Sequence, residues 1–152
     1  MHRYTVIGLF ALAVGGLGVV GGCAPSSNAT PGQAPAALSI PLDTHWRLTA
    51  LQGAAPIAGH EPTLSWEADG RIHGSASCNR YFGEWSGTPQ ELQLKAVGMT
   101  KMACFPDNVG QQETAFVRAL QQVRRLRIEG AALVLDDKAG QALLRWERAS
   151  AN

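Results

Sequence analysis

Charged residues are scarce in this chain, and the two signs nearly cancel. Of the 152 residues, 16% are charged, with 13 basic and 12 acidic side chains and a formal net charge of +1. Proteins that bind nucleic acid carry a basic patch or stripe that neutralises phosphates, and this chain has no excess of positive charge to form one. We therefore expect no nucleic-acid partner, and partners must be recognised by shape or by local contacts.

The sequence motifs of common enzymes and metal sites are also missing. There is no G-x-S-x-G segment, no C-x-x-C pair and no H-x₃₋₅-H spacing, and the one glycine cluster, at positions 15–22, belongs to an N-terminal apolar run. Ser75 and Ser77 lie near His73 in the sequence, which is one feature of a serine hydrolase. However, none of the three histidines His45, His60 and His73 falls in a recognised catalytic motif. We expect no catalytic residue, no cofactor and no metal.

One long apolar run stands at the N-terminus and leads to a cysteine. Arg3 precedes the mostly apolar stretch from Thr5 to Val20, and two glycines follow before Cys23. This segment resembles the bacterial lipoprotein box, with Val20 where the box usually has leucine. The resemblance implies that residues 1–22 are a signal peptide and that Cys23 receives a diacylglycerol and an acyl chain such as palmitate. The alternative is an uncleaved membrane helix, for which the run is short, since a span needs about 20 residues.

Residues 23–41 are expected to form a lipidated, flexible tether, because they contain no charged or aromatic residue and several prolines. Cleavage before Cys23 removes Arg3 and no acidic residue, so 13 basic and 12 acidic residues become 12 and 12. Ala24 resembles the residue that follows the cysteine in lipoproteins sorted outward, whereas aspartate there commonly retains them in the inner membrane. We therefore expect an outer-membrane lipid anchor with the domain facing the periplasm.

Two further cysteines, Cys78 and Cys104, form an even pair. An oxidising compartment favours a disulfide between them. Two reduced thiols are one alternative. A zinc site that adds His73 or His45 is another, and it lacks the usual ligand spacing.

From residue 42 onward, short apolar or β-branched runs alternate with Gly, Pro and Asp, which predicts an antiparallel sheet. The expected strands are 45–51, 63–67, 71–75, 81–85, 91–95, 97–100, 126–128, 133–135 and 143–146. One helix is predicted over 110–124, capped by Asp107 or Asn108, with a core-facing stripe of Phe116, Val117, Leu120 and Val123. Residues 42–149 should therefore form a small, monomeric α+β domain: a mostly antiparallel, strongly curved sheet or open barrel with one packed helix.

Two cysteine-containing segments are the most specific part of the sequence. Residues 74–83 read GSASCNRYFG, and residues 99–104 read MTKMAC directly before the predicted helix. In this order they resemble the META domain family, which includes the HslJ-like heat-inducible lipoproteins, and the resemblance extends from Trp46 to Trp146. It implies a compact, mostly antiparallel domain with one helix, usually exported and often lipidated. It implies no established catalytic activity. It does imply an association with envelope stress and antibiotic tolerance.

Asn79 and Arg80 are the candidate binding residues. Asn79 suits a left-handed or side-chain-bonded turn after Cys78, or else offers a ligand-binding amide. Arg80 presents its guanidinium to an anion or bonds loop carbonyls. Met99 and Met102 are expected to fill gaps in the core.

The expected function is that of a non-catalytic outer-membrane lipoprotein, a binding or scaffold module for envelope proteins or small molecules in envelope maintenance, stress or antibiotic tolerance. Such a module should show a concave apolar pocket. The alternative is a protein inhibitor of a secreted hydrolase, with residues 105–110 as the rigid plug. An enzyme is the least favoured of the three classes.

Replacing Cys23 tests the predicted anchor. We expect Cys23→Ser to release the protein from the outer membrane or to leave it uncleaved, because this thiol is the acylation site. Membrane fractionation and intact mass are the measurements. An outer-membrane protein that keeps the lipidated mass without Cys23 would contradict the prediction.

Overall fold

The structure, a computed structural model, describes residues 39–149, so the predicted signal peptide, Cys23 and most of the tether lie outside the described residues. Within that range it has eight strands and one helix. In chain order they are β1 Thr44–Leu51, β2 Thr63–Trp66, β3 Arg71–Ser75, β4 Arg80–Thr88, β5 Glu91–Met99, α1 Asp107–Gln122, β6 Arg125–Glu129, β7 Ala132–Asp136 and β8 Ala142–Arg148. In this part of the chain, no helix is long and apolar enough to cross a membrane.

All eight strands belong to one sheet in the order β5-β4-β3-β2-β1-β8-β7-β6, and every neighbouring pair is antiparallel. The two outermost strands approach each other at one end. There the Leu92 N–H donates to the Arg124 carbonyl (2.8 Å) and the Leu126 N–H donates to the Pro89 carbonyl (2.6 Å). The sheet is thus a nearly closed barrel, which confirms the predicted α+β class with a curved antiparallel sheet.

Helix α1 fills the inside of this barrel. Phe116 is fully buried, and its ring makes edge-to-face contacts with Tyr81 on β4 (5.4 Å between centroids) and Trp146 on β8 (5.9 Å). Leu120 and Val123 are buried on the same face, as the helical stripe predicted. Each such aromatic pair contributes about 0.5–1.5 kcal/mol beyond the hydrophobic area that it buries. Because the two partners lie on β4 and β8, Phe116 packs the helix against both halves of the sheet.

Several element boundaries differ from the prediction: β4 continues to Thr88 beyond the predicted 81–85, and the helix ends at Gln122 before the predicted 124. The helix begins at Asp107, and Pro106 rather than Asp107 or Asn108 is the N-cap, because the Pro106 carbonyl accepts the first helical bond from the Val109 N–H (2.9 Å). The predicted strands 91–95 and 97–100 are one strand, β5. Opposite β4, a register shift leaves an extra residue on β5 between Lys95 and Gly98. The alternation of inward and outward positions along β5 is interrupted there, although the strand continues.

The described chain begins in close contact with the sheet. Ile40, inside the predicted tether, packs against the core, and the Asp43 N–H donates to the Trp66 carbonyl (2.8 Å). The Ala149 N–H donates to the His45 carbonyl (2.9 Å), so both ends of the described segment lie beside β1. A tether leading to a membrane would therefore join the barrel at β1.

Candidate functional site

The turn between β3 and β4 carries the first cysteine segment. It is closed by a hydrogen bond from the Ala76 N–H to the Asn79 carbonyl (2.7 Å). The positive φ of this turn falls on Ser77 (114°), not on Asn79. The Ser77 hydroxyl accepts a bond from the Gln112 side chain on α1 (2.8 Å), which fixes the turn against the helix.

The side chain of Asn79 is buried, with 2% exposure, and uses all of its hydrogen-bonding capacity. Its amide nitrogen donates to Glu113 Oε1 (2.9 Å) and to the Met102 carbonyl (3.2 Å). Its oxygen accepts from the Thr100 hydroxyl (2.9 Å) and from the Met102 N–H (2.8 Å). Because no donor or acceptor remains free, this geometry favours the side-chain-bonded turn over the ligand-binding amide.

Glu113 on α1 is the second member of this buried cluster, with 6% exposure. Its Oε2 accepts from the backbone N–H groups of Asn79 (2.6 Å) and Cys78 (3.3 Å), and its Oε1 accepts the Asn79 amide. Within residues 39–149 it forms no ion pair with a basic side chain, so these three N–H donors stabilise the carboxylate. The sequence analysis did not identify Glu113. The available signal was its position on the apolar face of the helix, between Val109 and Phe116.

A disulfide joins Cys78 to Cys104, with 5.9 Å between their Cα atoms. Glu113 lies beside it, and the three ligand-type atoms of Cys78, Cys104 and Glu113 are within 4.8 Å of one another. Sulfur in a disulfide cannot act as a thiolate ligand, so the oxidised cluster is not a metal centre. Neither His45 nor His73 belongs to this group, which argues against the zinc arrangement considered from the sequence.

Gly74 and Tyr81 hold the start of this region against β2. A Cβ atom on Gly74 would lie 2.0 Å from the Thr63 carbonyl oxygen, so only glycine allows this approach. The Tyr81 hydroxyl donates to the same oxygen (2.9 Å), and burial raises the pKa of Tyr81 far above its usual range. The phenol therefore stays protonated as a structural donor.

Residues 100–106 form what we call the braced loop, between β5 and α1. Its backbone is held by Asn79 at Met102, by the disulfide at Cys104 and by a bond from the Thr100 N–H to the Arg80 carbonyl (3.0 Å). The Met102 side chain is nevertheless 62% exposed and that of Phe105 is 78% exposed. The loop thus presents two large apolar side chains to solvent on a fixed backbone.

Two expectations about this segment were wrong. Met102 is not in the core, because its N–H and carbonyl both bond the buried Asn79 side chain, and its own side chain remains at the surface. Met99 does pack against the core. The expected plug 105–110 is not one loop, because Asp107 to Gly110 form the first turn of α1.

Arg80 lies at the edge of the braced loop. Its N–H donates to the Thr100 hydroxyl (3.1 Å), whereas its exposed guanidinium makes no hydrogen bond or ion pair within residues 39–149. In the described residues the guanidinium therefore does not bond the loop carbonyls, as the second of its two expected roles would require, and the anion-binding role stays a prediction.

The histidines on the outer face of the sheet make contacts that the sequence did not predict. His45 Nδ1 lies 2.7 Å from the Ser65 hydroxyl, and His73 Nε2 lies 2.9 Å from Glu67 Oε1. Ser65 and His73 are cross-strand neighbours. Because β2 is paired on both sides, its backbone N–H groups are used by the sheet and offer no oxyanion hole beside Ser65.

A shallow groove of about 540 Å³ lies next to His73. Phe82, which is 60% exposed, lines it together with His73, Glu67, Arg71 and Glu84. The groove has the size of a small-molecule site, and its lining combines apolar surface with the charged side chains of Glu67, Arg71 and Glu84. It is therefore only in part the apolar pocket expected of a binding module.

In the described residues, these features define a small, disulfide-tied α+β domain in which one helix fills a nearly closed antiparallel sheet. The META domain family matches residues 37–150, and the chain belongs to this family. The resemblance based on the two cysteine segments is thereby confirmed.

Two solved structures show similar folds, and a third matches the chain more weakly. A protein from Burkholderia xenovorans, determined by NMR, is 29% identical, with a TM-score of 0.59 over 72% of this chain and 84% of that one. A second NMR structure is 24% identical, with a TM-score of 0.55 over 69% and 88% of the two chains. A crystallised DUF4847 family protein from Bacteroides vulgatus is 16% identical, with a TM-score of 0.45 over 61% and 62%. Among curated proteins, none matches the chain.

The buried amide of Asn79 can be tested by substitution. We expect Asn79→Ala to lower the free energy of unfolding by about 3 kcal/mol, because Glu113 and the Met102 backbone lose buried partners. Asn79→Asp should be at least as destabilising, since it places a second carboxylate beside Glu113. Denaturant unfolding of the mature protein is the measurement. Arg80→Ala is the matched control and should leave stability unchanged; a loss confined to Arg80→Ala would contradict this account.

Proposed function

We propose that this protein is a non-catalytic envelope lipoprotein that binds other envelope proteins through its braced loop. In this proposal Cys23 carries the lipid, the anchor lies in the outer membrane, and the domain faces the periplasm. The N-terminal apolar run, Cys23 and Ala24 support this location. The resemblance to stress-associated family members supports a role in envelope maintenance, stress or antibiotic tolerance.

The observation that carries the proposal is the exposure of Met102 and Phe105 on a backbone that is fixed. An exposed apolar side chain on a mobile loop loses conformational entropy when it is buried by a partner. Here the disulfide and the Asn79 hydrogen bonds have already ordered the loop. Large apolar side chains that are held in place at the surface are typical of interaction sites.

Arg80 supplies the polar part of this surface. Arginine is enriched among residues that dominate binding energy, and its guanidinium pairs with carboxylates through two hydrogen bonds. Because the Arg80 backbone bonds Thr100 in both directions, its side chain extends from a fixed point beside the braced loop. A protein partner with an acidic group beside an apolar pocket fits this arrangement.

Inhibition of a secreted hydrolase remains the alternative, and the same exposed, fixed loop is the observation that favours it. An inhibitor would place Phe105 in the active-site cleft of its target. Addition of the purified protein to secreted hydrolases distinguishes the two: an inhibitor lowers their activity in a Phe105-dependent manner, whereas a scaffold leaves it unchanged.

Replacing both exposed apolar side chains tests the binding surface. We expect the double variant Met102→Ser with Phe105→Ser to fold normally but to fail in complementing a deletion strain under heat or an envelope-active antibiotic. Arg80→Ala should weaken complementation, and His73→Ala should leave it unchanged. A photo-crosslinking residue at position 105 should form a discrete adduct in cells.

The matched control is Ile128, which is 39% exposed on β6. Ile128→Ser should complement fully, and a crosslinker at 128 should not give the same adduct. Protein level is followed by immunoblot and folding by thermal melt. Full complementation by the folded double variant would refute the braced loop as the binding surface, and loss of function in folded His73→Ala would favour an enzyme.

A further inference from the structure

A second candidate site lies where the barrel closes between β5 and β6, away from the two cysteine segments. An open, shallow depression of about 350 Å³ lies at this point, and we call it the seam cavity. Its basic lining residues are Arg124, Arg125 and Lys138, and its other polar lining residues are Gln90, Glu91 and Gln93. Three positive charges and one negative charge therefore face one small space.

Two of the three cations are adjacent in sequence, and the third comes from another segment. Arg124 follows the helix, Arg125 begins β6, and Lys138 lies in the turn between β7 and β8. The antiparallel pairing of β6 with β7 brings Lys138 close to the two arginines, and closure of the barrel, in which the Leu92 N–H donates to the Arg124 carbonyl, adds the β5 side of the cavity. The sequence therefore shows the Arg124-Arg125 pair, whereas Lys138 and the β5 side of the cavity join it only in the fold.

Four other arginine charges on the sheet are neutralised by nearby acids. The pairs are Arg47 with Glu147, Arg71 with Asp69, Arg127 with Asp136 and Arg145 with Glu129. In the part of the chain that the structure describes, Arg125 and Lys138 form no ion pair and donate no side-chain hydrogen bond. Like charges that converge without a protein partner attract an anion.

Contacts with the backbone hold part of this cluster. Arg124 Nη1 donates to the carbonyls of Gln121 (2.9 Å) and Val123 (2.6 Å) at the end of the helix. Arg125 Nη1 lies beside Gly140, where an added Cβ atom would be 3.8 Å away. The remaining N–H groups of both guanidinium groups are not used by these contacts.

We propose that the seam cavity binds a phosphate group, as a monoester or a diester. The planar guanidinium fork matches the oxygen spacing of phosphate, lysine adds a point charge, and the two glutamine amides can donate to further oxygens. The cavity is larger than one phosphate, which leaves room for the group to which the phosphate is attached. Two sources carry this chemistry, a soluble phosphate compound and a phospholipid headgroup.

The test is an NMR titration of the mature lipoprotein in non-ionic detergent, with ionic strength held constant by sodium chloride. The probes are inorganic phosphate and glycerophosphoglycerol, a soluble headgroup diester. We expect saturable shifts of the Arg125 and Lys138 amide signals with at least one probe. The double variant Arg125→Gln with Lys138→Gln should bind at least tenfold more weakly.

The matched control is Lys95→Gln with Arg118→Gln, which removes the same charge from residues that do not line the cavity. It should bind as the unaltered protein does, and melting temperatures verify that both variants fold. Saturation by the diester supports a lipid headgroup, and saturation by inorganic phosphate alone supports a soluble ligand. The proposal is overturned if neither probe saturates, or if the control loses as much affinity as the cavity variant.

Discussion

The hydrogen bonds between the buried Asn79 amide and the Glu113 carboxylate are the constraint on which the functional end of this domain depends. They connect the turn after β3 with the loop after β5 and with helix α1, and the residues they join are 23 and 34 positions apart in sequence. Both side chains would be costly to bury alone, because unpaired amide and carboxylate groups lose their hydration. Each satisfies the other, and the disulfide beside them limits the separation of the same segments. The barrel core therefore supplies stability, and this polar cluster supplies a defined surface.

This arrangement explains why the braced loop exposes apolar side chains without being flexible. Its backbone polar groups are directed inward to Asn79, so Met102 and Phe105 remain outside. A surface ordered before binding favours recognition of a protein. The closest approach to catalytic geometry, the contact between His45 and Ser65, lies on an outer sheet face whose backbone donors are already paired. The proposed role as a binding module follows from this contrast.

The sequence was sufficient for the features that depend on local periodicity and on short motifs. Alternating strands, the apolar stripe on α1, and the two cysteine segments predicted a curved antiparallel sheet with one helix and membership of the META family. The continuous β5 was missed because an extra residue interrupts its alternation, and this depends on pairing with β4. Met102 was assigned to the core because residue type alone does not show where its backbone bonds are directed. Glu113 and the seam cavity depend on contacts between distant segments, which periodicity cannot reveal.

Hydrogen exchange at the Met102 amide tests the central claim most directly, because this N–H lies in a surface loop and donates to the buried Asn79 oxygen (2.8 Å). If the polar cluster holds the braced loop, this amide should exchange only through large-scale opening, at a rate close to that of the buried Leu133 amide on β7, and Asn79→Ala should greatly accelerate it. Rapid exchange of the Met102 amide in the unaltered, oxidised protein, at the rate of an unprotected loop, would contradict the account.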